Sequence, residues 1–353
     1  MNDSSQLPLP ARLPSAESAA TATQGRLPRP WLVADIGGTN ARFGWLADGS
    51  SSVEHVQTLP TASHAGPGAA AQAYLAQLAA QLGSAYRPPR AGAFAVATAV
   101  GGDDISLTNS GWHFLRSATR DELALDELLM LNDFEALALS LPHLAAEQVR
   151  PIGNTAAPGT PGTMAVIGPG TGLGVAGIMP TARGWLAVPG EGGHATLAPA
   201  DDFESAVLTA GRREFVHVSA ERLLSGIGLP VLHRAVAAVL GQAPQTLLAE
   251  EIVERGLARQ DEVCSRTLDT FCALLGSFAG NVALTLGARG GVYIGGGIVP
   301  RLGERFFASD FRPRFEAKGR FHSYLRDIPT TLITDTLVAL TGAACALETH
   351  GRC

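Results

Sequence analysis

The sequence predicts an α/β fold built from two similar halves, each carrying a glycine-rich β-hairpin. The first hairpin covers Trp31–Leu46 (WLVADIGGTNARFGWL) and the second covers Thr163–Met179 (TMAVIGPGTGLGVAGIM). In each segment two apolar runs flank a tight Gly/Thr turn, and no long helix pattern follows. Because glycine has no Cβ, the backbone N–H groups of such a turn can wrap phosphate oxygens closely. Two such turns in one chain predict a phosphate clamp.

The segments that follow the first hairpin alternate between strand and helix patterns. In order they are a strand at Val53–Leu59, an alanine-rich helix at Gly68–Leu82, a buried strand at Ala91–Val100, a helical spacing at Asp121–Glu127, a strand at Leu128–Leu131 and a helix at Phe134–Leu141 that Pro142 stops. This order is typical of an α/β unit with mixed sheet pairing.

The second half begins after a Pro/Gly/Thr/Ala-rich loop at Arg150–Gly162. After the second hairpin, helix patterns occur at Phe203–Arg213, Ser219–Leu224, Pro230–Leu240, Glu250–Ala258 and Val263–Leu286. A strand then runs into a glycine turn at Gly291–Ile298. A further strand at Thr331–Thr334 precedes the last helix, at Leu337–Glu348. The long apolar helix Val263–Leu286 carries the small residues Gly276, Gly280 and Ala283, which predict close packing.

Composition excludes several classes of protein. The 353 residues suffice for two domains, and the chain is 46% apolar, 16% charged and has a net charge of −6. No basic patch indicates nucleic acid, and no apolar run reaches the roughly 18 residues of a membrane span. The four cysteines show no metal-binding spacing, so we expect a reduced, cytoplasmic protein. Residues 1–30, rich in Pro, Ala, Ser and Thr, predict a disordered extension.

The lysine content restricts the kinds of phosphate site that are possible. Lys318 is the only lysine, so a Walker-type loop and a protein-kinase-type strand lysine are both excluded. Any bound phosphate must therefore be held mainly by backbone amides, hydroxyl groups and a metal ion.

The first hairpin turn offers these groups. Its residues are Asp35, Ile36, Gly37, Gly38, Thr39 and Asn40. They are also common turn residues, so a purely structural turn is the alternative. In the functional interpretation the Gly37, Gly38 and Thr39 amides and the Thr39 hydroxyl bind phosphate, and Asp35 faces a hydrated Mg²⁺.

The second turn contains Gly168, Gly170, Thr171 and Gly172, and it includes a GxGxxG match at Gly172, Gly174 and Gly177. We reject a dinucleotide-binding motif here, because strand-forming residues follow the match and Pro180 ends them. No helix N-terminus would then face the phosphate.

Polar residues at three further places form candidate sites. Asn132 and Asp133 lie at a strand end before a helix, where Asn132 can act as N-cap and Asp133 as a catalytic base. Glu191 and His194 lie three apart in a glycine-rich loop, as a structural pair or as part of a metal site. Glu221 follows Ser219, where helix-start capping is the structural alternative.

The ordered motifs from Leu32 to about Ala346 resemble the bacterial glucokinase family, in its non-repressor branch. These are LVADIGGTNARF, TNSGW (Thr108–Trp112), LNDFEALALSLP, GPGTGLGVA, PGEGGH, HVSAERLLSG, GGVYIGGGIVPR and KGRF (Lys318–Phe321). The resemblance implies an actin-like ATPase (ribonuclease H-like) two-domain fold with a central cleft. It also implies phosphorylation of the 6-hydroxyl of D-glucose by MgATP at the entry to glycolysis, and we expect a homodimer.

The same resemblance implies residue roles. Asp133 matches the catalytic base, and Asn132, Glu191, His194 and Glu221 match the residues that hold the sugar hydroxyls. The two hairpin turns match the phosphate-binding segments, and Gly295, Gly296 and Gly297 match the adenosine segment. One departure is Ala99, which replaces a proline usual in the family.

The expected domains are a small one of residues 31–143 completed by 335–353, and a large one of residues 144–334. Two rival functions stay open at this point: a kinase of another hexose, such as mannose or fructose, and a non-catalytic sugar-sensing regulator. The regulator would need a DNA-binding module, and the N-terminal segment offers no helix-turn-helix pattern.

Overall fold

Two mixed β-sheets with flanking helices form the computed structural model, which describes residues 27–107, 110–153 and 162–350. The strands are β1 (Trp31–Ile36), β2 (Asn40–Leu46), β3 (Glu54–Pro60), β4 (Ala91–Val96), β5 (Asp104–Ser106), β6 (His113–Leu115), β7 (Glu127–Asn132), β8 (Val149–Ile152), β9 (Met164–Pro169), β10 (Leu173–Thr181), β11 (Gly184–Gly190), β12 (Gly291–Ile294) and β13 (Thr330–Ile333).

The α-helices pack on both sheets. They are α1 (Pro67–Leu82), α2 (Arg116–Glu122), α3 (Asp133–Ser140), α4 (Asp202–Gly211), α5 (Leu229–Val239), α6 (Ala249–Leu257), α7 (Glu262–Leu286), α8 (Ile298–Leu302), α9 (Glu304–Phe307), α10 (Phe311–Glu316), α11 (His322–Arg326) and α12 (Val338–Thr349).

The two large sheets repeat one topology. The first has the strand order β3-β2-β1-β4-β7 and the second has the order β11-β10-β9-β12-β13-β8. In both, a three-stranded antiparallel meander is followed by two parallel strands, and the glycine turn joins the first two strands of the meander. The prediction of an α/β fold with two similar halves and mixed pairing is confirmed.

Two helices occupy the space between the large sheets. Helix α3 contacts β4 and β7 of the first sheet and β9, β10 and β11 of the second, and α12 packs along α3. At their crossing a Cβ on Gly342 would lie 1.7 Å from the carbonyl oxygen of Ala136, so only glycine allows this approach. The helix that begins at Asp133 is therefore held between both halves of the molecule.

Helix α7 forms the centre of the second half. A Cβ on Gly276 would lie 2.1 Å from the carbonyl oxygen of Phe311, and a Cβ on Gly280 would lie 2.5 Å from that of Phe315. The predicted close packing of α7, here against α10, is therefore confirmed.

Helix α7 is also long and apolar enough to cross a membrane, contrary to the expectation that no apolar run has this length. Its most apolar window is 83% buried in the protein, as in a core helix.

Three predicted elements have different bounds in the structure. Strand β4 ends at Val96 rather than Val100, because Thr98 N–H bonds back to the Val96 carbonyl in a tight turn (2.8 Å). The helix predicted at Asp121–Glu127 lies earlier, at α2, and β7 already begins at Glu127. The start of the predicted Arg150–Gly162 loop is strand β8, which pairs antiparallel with β13.

The helix predicted at Ser219–Leu224 is wrong; the segment is a series of turns. Its amides pair with another part of the chain, since Ala220 N–H donates to the Ala195 carbonyl (2.9 Å) and Glu221 N–H donates to the Gly193 carbonyl (2.9 Å). Tertiary pairing with the glycine-rich loop thus takes the amides of Ala220 and Glu221, and only a single turn remains, in which Leu224 N–H donates to the Ala220 carbonyl (2.8 Å). Glu221 therefore does not lie at the start of a helix.

Most of the predicted N-terminal extension, residues 1–26, lies outside the described part of the chain, as do Thr108 and Asn109 of the TNSGW motif. Residues 27–30 contact the fold. Arg29 pairs with Glu348 of α12 at 2.7 Å, and the indole of Trp31 donates to the Pro28 carbonyl at 3.0 Å.

Candidate active site

Asn132 and Asp133 lie where β7 passes into α3. The Asn132 side chain caps the helix, since its Oδ1 accepts from Phe134 N–H (2.9 Å), and its Nδ2 donates to the Thr98 carbonyl (3.2 Å). The capping interpretation is therefore right for Asn132. Asp133 follows as the first helical residue, and its Oδ1 also accepts from Phe134 N–H (3.0 Å). This arrangement fixes the carboxylate at the carboxyl end of a parallel strand.

The electrostatic surroundings of Asp133 suit a general base. Burial raises the pKa of its carboxyl to about 6, and the neighbouring negative charge of Asp35 adds to the rise. A base works best when its pKa lies close to the pH at which it operates. Asp35 in β1 and Asp133 directly after β7, the two strands that flank β4, thus come within electrostatic reach of each other.

The Asp35 side chain is 14% exposed, and its partial burial raises the pKa of its carboxyl, although the charge of Arg42 on β2 acts in the opposite direction. The Arg42 guanidinium donates to Asp35 Oδ2 at 2.9 Å. The repulsion between Asp35 and Asp133 is the kind of local charge excess that a hydrated divalent cation relieves. The residues present therefore fit a magnesium ion held through water, as the sequence suggested.

The first turn, residues 37–39, is anchored by Thr61. The Thr61 hydroxyl donates to the Gly38 carbonyl (2.8 Å) and its N–H donates to the Thr39 carbonyl (3.0 Å). Gly37 N–H is used inside the turn, on the Asn40 carbonyl (2.9 Å). Among the described residues the N–H groups of Gly38 and Thr39 have no such partner, so these two amides are the ones left for a phosphate.

The second turn, residues 170–172, is closed in the same way. Gly170 N–H donates to the Gly172 carbonyl (2.9 Å), and the Gly170 carbonyl accepts from Gly226 N–H (2.7 Å). Within the part of the chain that the structure describes, the amides of Thr171 and Gly172 remain without a backbone partner. Both turns thus present two adjacent amides.

The predicted adenosine segment packs directly on the second turn. Gly295 N–H donates to the Ile167 carbonyl (2.8 Å), and a Cβ on Gly296, whose φ is +78°, would lie 2.4 Å from the Pro169 oxygen. A cavity of about 380 Å³ opens between Gly170, Thr171 and Gly297. Its remaining lining comes from Gly226, Leu229, Ala249, Glu250, Val253, Ile298 and Arg301.

Sequence reasoning did not single out the helical part of this lining. Leu229 begins α5, Val253 lies in α6, and Arg301 in α8 approaches Glu250 at 3.4 Å. Leu229 and Val253 lie outside every glycine motif, and Arg301 is the last residue of GGVYIGGGIVPR, where sequence reasoning gave it no role. No local pattern distinguishes these three residues from ordinary helix positions.

Phe134 links the candidate base to the second hairpin, and it was also missed. A Cβ on Gly174 would lie 2.0 Å from two ring carbons of Phe134, and one on Gly168 would lie 2.4 Å from its Cζ. These two glycines therefore provide the space for the ring. Because Asp133 precedes Phe134 on the same helical turn, the phosphate hairpin and the candidate base are held in register by this contact.

Glu191, His194 and Glu221 form one cluster beside the second turn. His194 Nδ1 lies 3.9 Å from Glu221 Oε1, and His194 Nε2 lies 4.0 Å from Glu191 Oε2. The side chains of Glu191 and His194 are open to solvent (68% and 60% exposed), and that of Glu221 is 23% exposed. The cluster can therefore receive a polar molecule.

The backbone of the second turn fixes Glu221. Leu173 N–H donates to Glu221 Oε2 at 2.9 Å, and a Cβ on Gly172 would lie 2.6 Å from the same oxygen. Gly172 thus offers an amide for a phosphate and also leaves room for the Glu221 carboxylate.

Lys318, the chain's single lysine, lies elsewhere. It donates to the carbonyl (2.9 Å) and the hydroxyl (3.1 Å) of Ser277 in α7.

Comparison with known proteins agrees with this geometry. The family model for glucokinase matches residues 32–350. The glucokinase of Chromobacterium violaceum is 48% identical, with 92% of this chain and 91% of the relative covered. The crystal structure of a glucokinase from an Antarctic psychrotroph has a TM-score of 0.82 and 37% identity, covering 91% of this chain and 99% of that one.

A more distant structure, a ROK family glucokinase from Streptomyces griseus in complex with glucose and AMPPNP, has a TM-score of 0.56 at 19% identity, and covers 92% of this chain and all of that one. Its likeness concerns the fold. The predicted actin-like ATPase fold is confirmed by these neighbours. From the family match and the extent of the identity, the chain belongs to the glucokinase family.

Proposed function

We propose that the chain transfers the γ-phosphoryl group of ATP to the 6-hydroxyl of D-glucose, giving glucose 6-phosphate and ADP. The observation that carries this proposal is the position of Asp133. Its carboxyl has a pKa raised to about 6 by burial, and the next residue packs against a phosphate-type glycine hairpin. A base of this kind, beside amides suited to phosphate, is what phosphoryl transfer to a hydroxyl requires.

In the proposed mechanism the residues act mainly by positioning. The amides of Gly38, Thr39, Thr171 and Gly172 hold phosphate oxygens, and the cavity beside Gly297 receives the nucleoside. Asp133 orients the sugar 6-hydroxyl and accepts its proton. Mg²⁺, which Asp35 would hold through water, supplies neutralisation of phosphate charge when bound.

The acidic cluster gives this proposal its sugar site. Carboxylates such as Glu191 and Glu221 can each accept hydrogen bonds from neighbouring hydroxyls, with His194 between them and Asn132 beside the base. A sugar with an inverted hydroxyl would leave a carboxylate oxygen unpaired, which costs about 1–3 kcal/mol. A cluster of this kind discriminates between hexoses, and the family match supports glucose as the preferred substrate.

The experiment that tests the proposal is a substrate and donor panel on the purified protein. ADP release would be followed with D-glucose, D-mannose and D-fructose, and with ATP against other phosphoryl donors. We expect the highest kcat/KM with glucose and ATP, and a value about 10²–10⁴-fold lower with the Asp133→Asn variant. A preference for mannose or fructose would establish the rival hexose kinase, and sugar binding without ADP release would favour a regulator.

Replacing Glu191 or Glu221 by glutamine is expected to raise the KM for glucose by about 10–100-fold, because each change removes a charged acceptor. The KM for ATP should change by less than about threefold, since neither side chain lines the nucleoside cavity. Steady-state titration of both substrates measures the split. Glu122→Gln, an exposed position on α2, is the matched control. A selective loss of ATP affinity would contradict the sugar assignment.

We also propose the two-domain division, with residues 31–143 and 335–353 as the small domain and 144–334 as the large one. The two crossings between them are tied together, since Gln148 Nε2 donates to Asp335 Oδ2 (2.6 Å) and Thr334 N–H donates to the Gln148 carbonyl (2.8 Å). Paired crossings of this kind permit a hinge while restricting other motions.

Glucose is expected to close the two domains. Asn132 and Asp133 belong to one domain and the Glu191–Glu221 cluster to the other, so a sugar that touches both binds the closed state better. Small-angle scattering should show a smaller radius of gyration with glucose than with the same concentration of sorbitol. Equal radii, together with equal rates of ATP hydrolysis in both solutions, would contradict closure.

The proposed partners are D-glucose, MgATP and a second copy of the chain in a homodimer, with no nucleic acid or membrane partner. Strand β11 is an edge of the second sheet and exposes Leu186 (49%), which supports a subunit contact there. Sedimentation velocity at several concentrations measures this assembly.

The free thiols of Cys264, Cys272 and Cys345 support the proposed cytoplasmic location.

A further inference from the structure

A histidine, an aspartate and a cysteine that have no part in the proposed mechanism meet inside the second half. They are His233 in α5, and Asp261 and Cys264 at the start of α7. One ligand atom from each, a ring nitrogen, a carboxylate oxygen and the sulfur, lies within 4.8 Å of the other two. Thirty-one positions separate His233 from Cys264, so no short sequence motif signals the cluster, and packing of α5 on α7 creates it.

His233 is the unusual member of the cluster. It is 1% exposed, and neither ring nitrogen has a hydrogen-bond partner in the structure. A buried polar group without a partner costs about 1–3 kcal/mol, so native proteins rarely leave one unsatisfied. A ring that is enclosed, unpartnered and directed at a carboxylate and a sulfur has the surroundings of a metal ligand.

We infer that His233, Asp261 and Cys264 form a binding site for one divalent transition metal ion with the preferences of zinc. Zinc binds histidine nitrogen, cysteine sulfur and carboxylate oxygen at about 2.0–2.3 Å, so ligand atoms around one ion lie roughly 3.3–3.8 Å apart. Side-chain rotations that move the three atoms inward by about 1 Å reach this geometry. Asp261 is partly exposed, which leaves a fourth position for water.

The neighbouring groups favour such an ion. Asp261 Oδ1 accepts from Cys264 N–H at 2.9 Å, which fixes the carboxylate at the start of α7 beside the Cys264 sulfur. Two arginines act on His233, but each has an acidic partner: Arg234 lies 2.6 Å from Glu214, and Arg255 lies 3.7 Å from Glu251. Their positive charge is therefore largely compensated.

The protonation states set how binding depends on pH. A metal ion takes histidine as the neutral ring and cysteine as the thiolate, whereas a free cysteine carries a thiol at neutral pH. Forming the zinc–sulfur bond breaks the S–H bond and releases one proton to the buffer, and binding therefore tightens as the pH rises. The bound ion would join α5 to the first turn of α7.

The test uses the full chain, stripped with a chelator, freed of it and exposed to zinc without nucleotide. Elemental analysis after gel filtration should find about one zinc per chain, with a higher Tm in its presence. His233→Gln and Cys264→Ala should bind zinc at least about 100-fold more weakly, because each removes a direct ligand. Cys345→Ala, in α12 and outside the cluster, is the matched control.

Cobalt identifies the sulfur ligand without relying on any variant. Wild-type protein loaded with Co²⁺ should show a thiolate-to-cobalt charge-transfer band in the near ultraviolet, retained in Cys345→Ala. Zinc binding that is equal in wild type and Cys264→Ala would reveal adventitious binding at surface histidines and overturn the inference. The absence of the charge-transfer band in cobalt-loaded wild type would overturn it as well, even if the Cys264 variant did not fold.

Discussion

Asp133→Asn is expected to lower kcat by about 10²–10⁴-fold while glucose still binds, because the amide can orient the 6-hydroxyl but cannot accept its proton. The KM or Kd for glucose should change by only a few-fold, since Asn132 and the Glu191–Glu221 cluster remain. Coupled ADP detection gives the rate, and calorimetric titration gives the sugar affinity. Near-normal turnover in the variant would exclude Asp133 as the base.

The same substitution should leave a signature in stability that separates a lost base from a misfolded protein. The pKa of Asp133 is raised to about 6 in the folded state, so its ionised form opposes folding above that pH. Removing the charge should raise the free energy of unfolding by about 1–2 kcal/mol at pH 7.5, after the weaker helix-dipole interaction is subtracted. This gain should shrink as the pH falls through 6 and vanish near 3.8, the ordinary value for aspartate.

The wild-type enzyme should show the corresponding pH dependence of rate. The base must be ionised, so kcat/KM should fall on the acid side with an apparent pKa close to 6, the value to which burial raises Asp133. A profile that stays flat down to pH 5 would place the essential base elsewhere.

Gly174→Ala is expected to lower kcat by about 10²-fold with a much smaller effect on the KM for glucose. The added Cβ would lie 2.0 Å from two ring carbons of Phe134, so the ring and the turn of α3 that bears Asp133 must move. A displacement of about 1 Å at the reacting groups is enough for a loss of this size. Kinetics with both substrates and a thermal unfolding curve measure the effect.

A second substitution tests whether Phe134 mediates that loss. In the double variant Gly174→Ala/Phe134→Leu the smaller side chain makes room for the new methyl group, and kcat should recover at least about tenfold relative to Gly174→Ala, as a coupled pair should behave. Gly170→Ala is the informative contrast, because a Cβ there meets nothing within 4 Å. It should raise the KM for ATP rather than lower kcat. Additive losses in the double variant would refute the role given to Phe134.

Much of this architecture could be predicted from local sequence, and the reasons are physical. The two hairpins were predictable because a glycine turn between apolar runs has few alternatives, and Asn132 as N-cap follows from its residue type before a helix. The packing of α7 was predictable from glycines on an apolar helix. Each of these features depends on residues close together in the sequence. Such predictions are correct where no distant segment competes for the same hydrogen bonds or packing surface.

The errors arose where distant segments decide the outcome. Ser219–Leu224 has helical spacing, yet its amides bond to Ala195 and Gly193, about 25 residues away. Phe134 looks like an ordinary apolar helix residue until the glycines of the other half are placed against it. The helical lining of the nucleoside cavity, with Val253 and Arg301, depends likewise on how α5, α6 and α8 assemble.

The contact between Gly342 and Ala136 also constrains how the chain folds during its synthesis. One face of the helix that begins at Asp133 is covered by α12, which emerges from the ribosome about 200 residues later, or roughly 10–40 s at ordinary rates of translation. During that interval the side of α3 and of the first sheet that α12 covers in the folded protein has no native partner. We therefore expect the nascent first half to be a client of chaperones, and a ribosome-bound chain should acquire protease resistance in that half only after α12 has left the exit tunnel.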